Sequence, residues 1–292
     1  MSGQPISVKA IKDCLAQKSL APRKSLGQNF LSDRNILDKI VKTAEITDKD
    51  LVLEIGPGLG SLTERLLMAA EYVVAVEYDR GLYSILTETL QSPKLQLVNA
   101  DFMQLDLDNL LNDFQKQNWR KKVVANLPYY ITSPIIFKLL ESRIIWEQMV
   151  FLVQKEVAQR IIAKPGTKEY GALTVMINYF GKAEMAGTVP KTVFYPAPQV
   201  DSAIVKITLE KRQSDSVIYP YLQRVVQAAF GQRRKTLLNA LGSLESCFGS
   251  KEELARVLLQ ENIDSKQRGE TLGINEFLKI ASELQRRCPG SE

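Results

Sequence analysis

Hydrophobic and polar residues alternate along the first half of the chain in a pattern that predicts strands separated by helices. Short, almost fully apolar runs predict five buried strands, at residues 51–55, 72–76, 95–98, 122–125 and 149–153. Between them, helical spacing of apolar residues predicts helices such as 63–70 and 134–141. Because apolar strands that alternate with helices are typical of a parallel sheet covered on both faces, the pattern predicts an α/β fold.

Helical periodicity also precedes this region. Apolar residues at helical spacing predict one helix around Val8, Ile11 and Leu15 and a second over 36–44. Ser32 and Asp33 are candidate N-caps of the second helix, so two helices lead into the sheet.

The alternation ends in the second half of the chain. Runs at 183–189 and 202–209 predict two strands, and only the proline-rich segment 190–198 separates them, which predicts a closing β-hairpin with a long loop. A polar linker follows at 211–216, and apolar residues at helical spacing then continue to the end. We therefore predict two domains, an α/β domain over 1–210 and a smaller helical domain over 211–292.

The composition narrows the possible chemistry. The 292 residues are 45% hydrophobic, enough to bury a sizeable core, and no apolar run approaches the roughly 20 residues of a membrane span. The polar start lacks a signal-peptide core, so we expect a cytoplasmic protein without membrane contact. The 3 cysteines lie far apart, which predicts neither a disulfide framework nor a thiolate metal site.

The chain contains 0 histidines. This excludes Ser-His and Cys-His triads, His-ligated metals and imidazole acid–base chemistry. The net charge of +5 makes an anionic partner plausible, and nucleic acid is favoured over a membrane because no long basic amphipathic helix occurs.

A glycine-rich turn follows the first predicted strand. Gly56, Gly58 and Gly60 are spaced G-x-G-x-G, and glycines let the backbone approach a ligand at the start of a helix. A dinucleotide fold would place its third glycine where Ser61 stands. Glu77 ends the next strand, where a carboxylate can accept hydrogen bonds from both ribose hydroxyls. The two features together favour a nucleoside-type cofactor.

Plainer interpretations of the two carboxylates remain. Glu54 can be a solvated residue at the strand edge, and Glu77 can simply end its strand.

Two further strand ends carry candidate ligand-binding residues. Asp101 can accept from an adenine amino group while Phe102 packs against the ring, although Asp101 can also serve only as a helix cap. Since the carboxyl ends of parallel strands form one rim, we expect Gly56, Glu77, Asp101 and Asn126 to converge in one crevice.

The fourth strand end, N-L-P-Y at residues 126–129, combines an amide, a proline and an aromatic ring. Asn126 offers donors and an acceptor, Pro128 has no N–H, and Tyr129 has a flat face, so the set suits a flat polar group such as a nucleobase. A strand-to-helix turn without a ligand explains the same residues.

In this order the motifs resemble those of class I S-adenosylmethionine-dependent methyltransferases that act on an adenine amino group. Three more segments resemble the bacterial small-subunit ribosomal RNA adenine N6,N6-dimethyltransferases, and the likeness runs from about Arg23 to the end. They are K-S-L-G-Q-N-F-L at 24–31, F-Y-P-A-P-Q-V-D-S at 194–202 and F-G-Q-R-R-K-T at 230–236.

The resemblance implies a Rossmann-like, seven-stranded catalytic domain and an all-helical C-terminal RNA-binding domain. It implies contacts to S-adenosylmethionine from Asn29, Leu31, Gly56, Glu77, Asp101 and Asn126. We add Gly58, Phe102 and Gln28 to this set, with Gln28, Asn29 and Leu31 closing over the methionine end. The 28–31 segment can instead be only a turn that leads into a helix.

The resemblance also implies a chemistry for N-L-P-Y. The side-chain oxygen of Asn126 and the carbonyl of Leu127 would accept from adenine N6–H, and Pro128 would fix the turn. Tyr129 would stack on the base and Phe194 could approach its other face, although both rings can be ordinary packing residues. DNA adenine methyltransferases usually have a second proline or Asp-Pro-Pro here, so Leu127 favours RNA.

The basic residues Arg233, Arg234 and Lys235 are candidates for phosphate contacts, with a solvated helix face as the alternative. Lys211, Arg212, Arg224 and Lys266 to Arg268 would extend this surface.

The resemblance implies a monomeric, metal-free enzyme that dimethylates two adjacent adenines of 16S rRNA in an immature small subunit. The alternatives are a large-subunit rRNA methyltransferase of the antibiotic-resistance type, an assembly factor acting mainly by binding, and an NAD-dependent oxidoreductase. The 194–202 and 233–235 segments weigh against the first, and Ser61 against the last.

Overall fold

The computed structural model describes residues 6–114, 117–210 and 217–289. Nine strands occur within these ranges. They are β1 (Phe30–Leu31), β2 (Asp50–Ile55), β3 (Tyr72–Glu77), β4 (Leu95–Asn99), β5 (Arg120–Asn126), β6 (Trp146–Gln154), β7 (Gly181–Val189), β8 (Phe194–Tyr195) and β9 (Ser202–Leu209).

Thirteen α-helices lie in the same ranges, and none of them is long and apolar enough to cross a membrane. They are α1 (Val8–Gln17), α2 (Arg34–Thr43), α3 (Ser61–Ala69), α4 (Arg80–Thr89), α5 (Leu107–Leu110), α6 (Thr132–Glu141), α7 (Lys155–Ile161), α8 (Ala172–Phe180), α9 (Tyr219–Gly231), α10 (Leu237–Ala240), α11 (Glu245–Phe248), α12 (Lys251–Gln260) and α13 (Ile274–Arg287). Short 3₁₀ helices occur at Lys24–Leu26, Phe102–Gln104, Asn112–Phe114, Lys191–Val193, Leu241–Leu244 and Gly269–Thr271.

Seven strands form one sheet in the order β4-β3-β2-β5-β6-β9-β7. The pairings among β2 to β6 are parallel, and β9 joins β6 antiparallel. The five strands predicted from apolar runs and the seven-stranded α/β fold are confirmed. Because β3 and β5 lie on opposite sides of β2, the strand order reverses at β2, which is where such sheets bind ligands.

The predicted hairpin is correct in outline and incomplete in detail. β7 and β9 are neighbours in the sheet, as predicted. The proline-rich connection between them contains β8, which pairs antiparallel with β1 in a separate two-stranded sheet. Two-residue strands leave no periodic signal, so the sequence pattern could not show this pairing.

One of the two predicted caps has the expected role. The side chain of Asp33 accepts from the backbone N–H of Ile36 at 3.1 Å and caps α2. Ser32 instead donates its hydroxyl to the carbonyl oxygen of Val193 at 2.8 Å, which holds the segment before α2 against the 3₁₀ turn before β8.

The chain forms two compact units whose boundary differs from the predicted one. The first contains the described residues of 1–158 and 182–211, and the second those of 159–181 and 212–292. Segment 159–181 belongs to the helical unit because the Tyr170 hydroxyl donates to the carbonyl oxygen of Leu272 at 2.7 Å and its ring packs 5.9 Å from that of Phe230. The linker predicted at 211–216 lies outside the described residues.

The three cysteines are free thiols that are neither fully buried nor fully exposed. Two of them, 41 positions apart in sequence, are neighbours in the helical unit, where Cys288 Sγ lies 2.7 Å from Cys247 Sγ. Cys14 packs beside the hydrophobic cluster in which Ile11 and Leu15 of α1 are buried with residues from the rest of the first unit.

A buried lysine joins β5 to the segment before β2. Lys122 Nζ donates to the carbonyl oxygens of Ala44 at 3.1 Å and Glu45 at 2.8 Å, and lies 3.2 Å from Asp50 Oδ2. The Asp50 carboxylate is fully buried and also accepts from Arg120 Nε at 2.8 Å. A buried charge is tolerated only with such partners.

We expect Lys122→Ala to lower the free energy of unfolding by about 3–5 kcal/mol, because it leaves buried acceptors without a donor and opens a cavity. Urea denaturation measures this change. Lys49→Ala is the control, since the exposed Lys49 side chain directly precedes β2, the strand that begins with Asp50, and it should change stability by less than about 0.5 kcal/mol. Equal effects of the two substitutions would contradict a structural role for Lys122.

Candidate active site

A cavity of about 300 Å³ lies at the carboxyl ends of β2, β3 and β5 in the first unit. Its wall contains twelve of the residues that we predicted for the cofactor and the substrate. They are Gln28, Asn29, Leu31, Gly56, Gly58, Glu77, Asp101, Phe102, Asn126, Leu127, Pro128 and Tyr129. The predicted convergence of the strand ends is therefore found in the structure.

The glycine turn is held open by backbone geometry and by Glu77. Gly56 and Gly58 have φ of 69° and 63°, in the left-handed region that favours glycine. The N–H of Gly58 donates to Glu77 Oε2 at 3.0 Å, and the N–H of Asp79 donates to Glu77 Oε1 at 2.8 Å. Each carboxylate oxygen keeps a further lone pair, so Glu77 can still accept from ligand hydroxyls.

Two carboxyl groups of this wall are buried. Burial raises the pKa of Glu77 to about 7, against the opposing hydrogen bonds from Asp79 and Gly58. Burial also raises the pKa of Glu54 to about 8, and its Oε2 has no hydrogen-bond partner among the described residues. Glu54 is 1% exposed, so the interpretation of it as a solvated strand-edge residue is wrong.

Asp79 is a structural residue of the site that the sequence analysis missed. Its Oδ1 accepts from the N–H groups of Gly81 and Leu82 and so caps α4. Its Oδ2 accepts from Gln28 Nε2 at 3.2 Å and lies 3.1 Å from an Arg23 guanidinium nitrogen. The available signal was an Asp directly before a helical period, two residues after Glu77.

Asp101 has the capping role considered for it, and its contact with an adenine amino group stays a prediction. Its Oδ1 accepts from the N–H of Met103 at 2.8 Å and caps a 3₁₀ turn, while the residue also lines the cavity. The adjacent Phe102 ring is 5% exposed and lies 5.7 Å from the ammonium of Lys138. A carboxylate beside an aromatic edge suits recognition of a nucleobase.

A hydrogen bond orients Asn126 on the opposite wall. Its Nδ2 donates to the carbonyl oxygen of Asn29 at 3.1 Å, which joins the end of β5 to the 28–31 segment. No hydrogen bond to its Oδ1 occurs among the described residues, so this oxygen can accept from a ligand. The next residue, Leu127, is fixed by its N–H, which donates to the carbonyl of Leu152 at 3.1 Å.

The aromatic part of the turn is held from β9. The Tyr129 hydroxyl lies 2.7 Å from the hydroxyl of Ser202, and burial raises the pKa of this tyrosine. Pro128 accepts at its carbonyl from the Thr132 hydroxyl at 3.1 Å, which connects the turn to α6. Tyr130, which the sequence analysis did not single out, also lines the cavity and is 58% exposed.

Phe194 does not lie with these residues. It is 3% exposed, pairs with Leu31 across β1 and β8, and packs in the hydrophobic core instead of the cavity wall. To contact a base, its ring would have to leave that core, so its stacking role stays a prediction.

The three basic residues at 233–235 in the helical unit have different environments. Arg233 Nη2 donates to the carbonyls of Lys168 at 3.1 Å and Tyr170 at 2.9 Å and lies 3.1 Å from Glu270, so this guanidinium is engaged within its own unit. The side chains of Arg234 and Lys235 are exposed.

The other basic residues expected around this triplet differ in their environment, and Lys266 and Arg268 are exposed. Arg224 is half-buried and contacts Cys247 Sγ at 3.4 Å, and Arg268 lies 3.9 Å from Glu270. Lys211 and Arg212 lie outside the described residues.

The residues of the cavity fit a cationic nucleoside. Carboxyl groups at Glu54, Glu77 and Asp101 line it, and no lysine or arginine occurs among its described lining residues. No atom lies within 4 Å of where a side chain would begin at Gly56, which leaves space for a ligand beside the turn. Hydroxyl and amino groups of a nucleoside match these acceptors.

Comparison with known proteins identifies the family. The model of the family "Ribosomal RNA adenine dimethylase" matches residues 20–284. The chain belongs to this family. It is 47% identical over 275 residues to "Ribosomal RNA small subunit methyltransferase A" of Moorella thermoacetica, covering 92% of this chain and 94% of that one. The protein of the same name from Clostridioides difficile is 45% identical over 275 residues, covering 94% of each chain.

Solved structures agree with this assignment. A dimethyladenosine transferase from Plasmodium falciparum superposes with a TM-score of 0.76 at 29% identity, covering 88% of this chain and 98% of that one. The 23S rRNA methyltransferase ErmE gives a TM-score of 0.63 at 25% identity, covering 88% and 100%. The protein is thus an rRNA adenine methyltransferase of the class I fold, and its methyl donor is S-adenosylmethionine.

We expect Glu77→Ala to weaken binding of S-adenosylmethionine by about 1–3 kcal/mol, because it removes charge-assisted hydrogen bonds to the ligand and the acceptor that fixes Gly58. Titration calorimetry measures the affinity, and circular dichroism checks the fold. Glu71→Ala is a matched control at the other end of β3, where the side chain pairs with Lys94. If a folded Glu77→Ala variant binds S-adenosylmethionine with the parental affinity, Glu77 does not contact the cofactor.

Proposed function

We propose that this enzyme transfers methyl groups from S-adenosylmethionine to the N6 amino groups of two adjacent adenines near the 3′ end of 16S rRNA. It would thereby take part in biogenesis of the small ribosomal subunit. The observation that carries the proposal is the position of residues 126–129 on the wall of the cavity that contains Glu77 and the glycine turn. The names of the relatives at 45–47% identity support the small subunit as the target.

The reaction needs an adenine nitrogen that can act as a nucleophile. The N6 lone pair is delocalised into the ring, and acceptors aimed at N6–H favour the pyramidal form in which the pair is localised. S-adenosylmethionine supplies an electrophilic methyl group on its sulfonium. Acceptors that gain strength as N6 becomes positive stabilise the transition state more than the ground state.

Asn126 and Leu127 can provide these acceptors. The amide nitrogen of Asn126 is engaged with the Asn29 carbonyl, so its Oδ1 is directed elsewhere and can accept from N6–H. The bond from the Leu127 N–H to Leu152 fixes the peptide next to it. Preorganisation of this kind avoids reorganisation during the reaction.

Proton removal needs no dedicated base. Once methylated, the N6 ammonium is acidic and can lose its proton to water or to a carbonyl oxygen. This chemistry agrees with a chain of 0 histidines, because transfer then depends mainly on proximity and in-line orientation.

Tyr129 would provide the stacking face for the target base. Its hydroxyl contact with Ser202 fixes the ring at the cavity wall, and sites that accept an unpaired or extruded base commonly use such a face. Phe194 would join it only after leaving the core described above.

Two alternative functions require a separate test. The likeness to ErmE keeps a large-subunit rRNA target in consideration, but its 25% identity is well below that of the small-subunit relatives. An assembly factor that acts mainly by binding would use the same RNA surface. Mass mapping of modified nucleosides after reaction with immature small and large subunits separates these possibilities.

For the RNA, we propose that a single copy of the enzyme binds an immature small subunit through its helical unit. The exposed Arg234 and Lys235 support phosphate contacts there, whereas Arg233 would mainly hold the 168–170 segment.

Asn126→Ala should slow the chemical step by roughly 10²–10³-fold, because it removes the acceptor for N6–H while Pro128 and Tyr129 remain. Single-turnover methyl transfer to immature small subunits measures the rate. Saturating S-adenosylmethionine is required, since Asn126 also borders the cofactor site.

The control for this change is Asn118→Ala, an exposed residue just before the amino end of the same strand. Circular dichroism confirms that both variants fold. A folded Asn126→Ala variant that transfers methyl groups at the parental rate would mean that Asn126 only supports the turn.

Replacing Arg234 and Lys235 together by alanine should weaken RNA binding and reduce the slope of log K against log salt by about 2, since each phosphate contact releases counterions. Affinity for S-adenosylmethionine should stay unchanged. Lys251→Ala with Arg256→Ala removes the same charge from α12 and is the control. If the slope of log K against log salt is the same in both double variants, residues 234 and 235 do not contact RNA phosphates and belong to a solvated surface.

A further inference from the structure

Acidic residues outnumber basic ones on the described wall of the active-site cavity. Glu54, Glu77 and Asp101 line it, without a lysine or arginine among the described lining residues. Glu77 and Asp101 both accept backbone hydrogen bonds. Glu54 has no comparable partner at its Oε2, although it is 1% exposed.

Because Glu54 Oε2 is buried without a hydrogen-bond partner among the described residues, a cation is a suitable ligand beside it. A buried carboxylate without a positive neighbour is costly, so the group remains neutral until a positive charge arrives. The methyl donor carries a sulfonium charge, whereas S-adenosylhomocysteine, the product, has a neutral thioether in its place. The two ligands share the adenosine and the amino acid group, so the sulfonium is the main chemical difference for the protein to recognise.

We propose that Glu54 makes the cavity prefer the sulfonium donor to the thioether product, by releasing its proton to solvent when the cation binds. The preference would then help spent product to leave in exchange for fresh donor. This inference rests on the methyl donor and not on the RNA target, so the two can fail separately.

The surroundings of Glu54 determine the direction of the effect. Burial raises its pKa to about 8, while a contact with Thr63 lowers it and the charge of Glu77 raises it. Asp101 faces the same cavity, and Asp79 lies behind Glu77. At neutral pH the empty site therefore holds a proton on Glu54, and a bound cation favours its loss.

Affinity for the donor consequently rises as the pH approaches 8, and the rise is smaller for the product, because the product lacks the sulfonium charge. Glu77 titrates nearby, since burial raises its pKa to about 7. Its predicted partners are the ribose hydroxyls, which both ligands have, so its effect cancels in the ratio of the two affinities.

The test is titration calorimetry of S-adenosylmethionine and S-adenosylhomocysteine between pH 6 and pH 8. In the parent, the donor-to-product affinity ratio should rise by about 5- to 25-fold, the range for a carboxyl pKa lowered by about one to two on cation binding. In Glu54→Gln this rise should disappear, and comparing the two proteins cancels the titration of the ligands' own amino groups.

A control and a second measurement complete the experiment. Glu64→Gln changes a carboxyl of α3 outside the cavity and should keep the parental pH profile. Heats measured for the parent in phosphate and in Tris give the protons released, with about half a proton more for the donor than for the product at pH 7. This measurement needs no variant to fold.

Two results would overturn the inference: equal proton release for both ligands, or the same pH profile of the ratio in the parent and in Glu54→Gln. Failure of the parent to bind either ligand would instead overturn the assignment of the methyl donor. Loss of RNA methylation with these affinities intact would leave the inference standing and contradict only the proposed substrate.

Discussion

The carboxylate of Glu77 is the interaction on which the geometry of the site depends. It accepts from Gly58 after β2 and from Asp79 after β3, so one side chain fixes two loops that follow neighbouring strands. Parallel pairing of β2 and β3 brings these loops to one edge, but pairing alone leaves their backbones free to vary. The hydrogen bonds to this carboxylate fix the backbone of both loops. Asp79 in turn caps α4 and accepts a hydrogen bond from Gln28.

The opposite wall follows the same principle with weaker groups. Asn126 reaches the carbonyl of Asn29, 97 positions away, and Tyr129 reaches Ser202, 73 positions away. The turn at 126–129 is therefore supported from the segment before β1 and from β9. The positions of its aromatic and amide groups are fixed without a buried charge, because each group makes a neutral hydrogen bond.

The sequence was informative where a residue's role follows from its strand. Apolar runs placed β2 to β6, and their shared rim predicted that Gly56, Glu77, Asp101 and Asn126 would meet. It was less informative where the role depends on what surrounds a side chain. Contacts between segments distant in sequence bury Glu54 and Phe194, engage Arg233 and pair β1 with β8. The local spacing of apolar residues does not predict such contacts. Segment 159–181 joined the helical unit for the same reason.

The electrostatic character of the site agrees with a reaction that consumes a cation. A chain with a net charge of +5 lines this cavity with acids and carries exposed basic residues on its helical unit. The general positive charge favours an anionic macromolecule, whereas the acidic cavity disfavours phosphate and favours a small cation. Binding of both partners to one protein thus requires that the charges be separated. A uniformly basic cavity would bind RNA phosphates where the sulfonium has to lie, and acidic residues in place of basic ones prevent that competition.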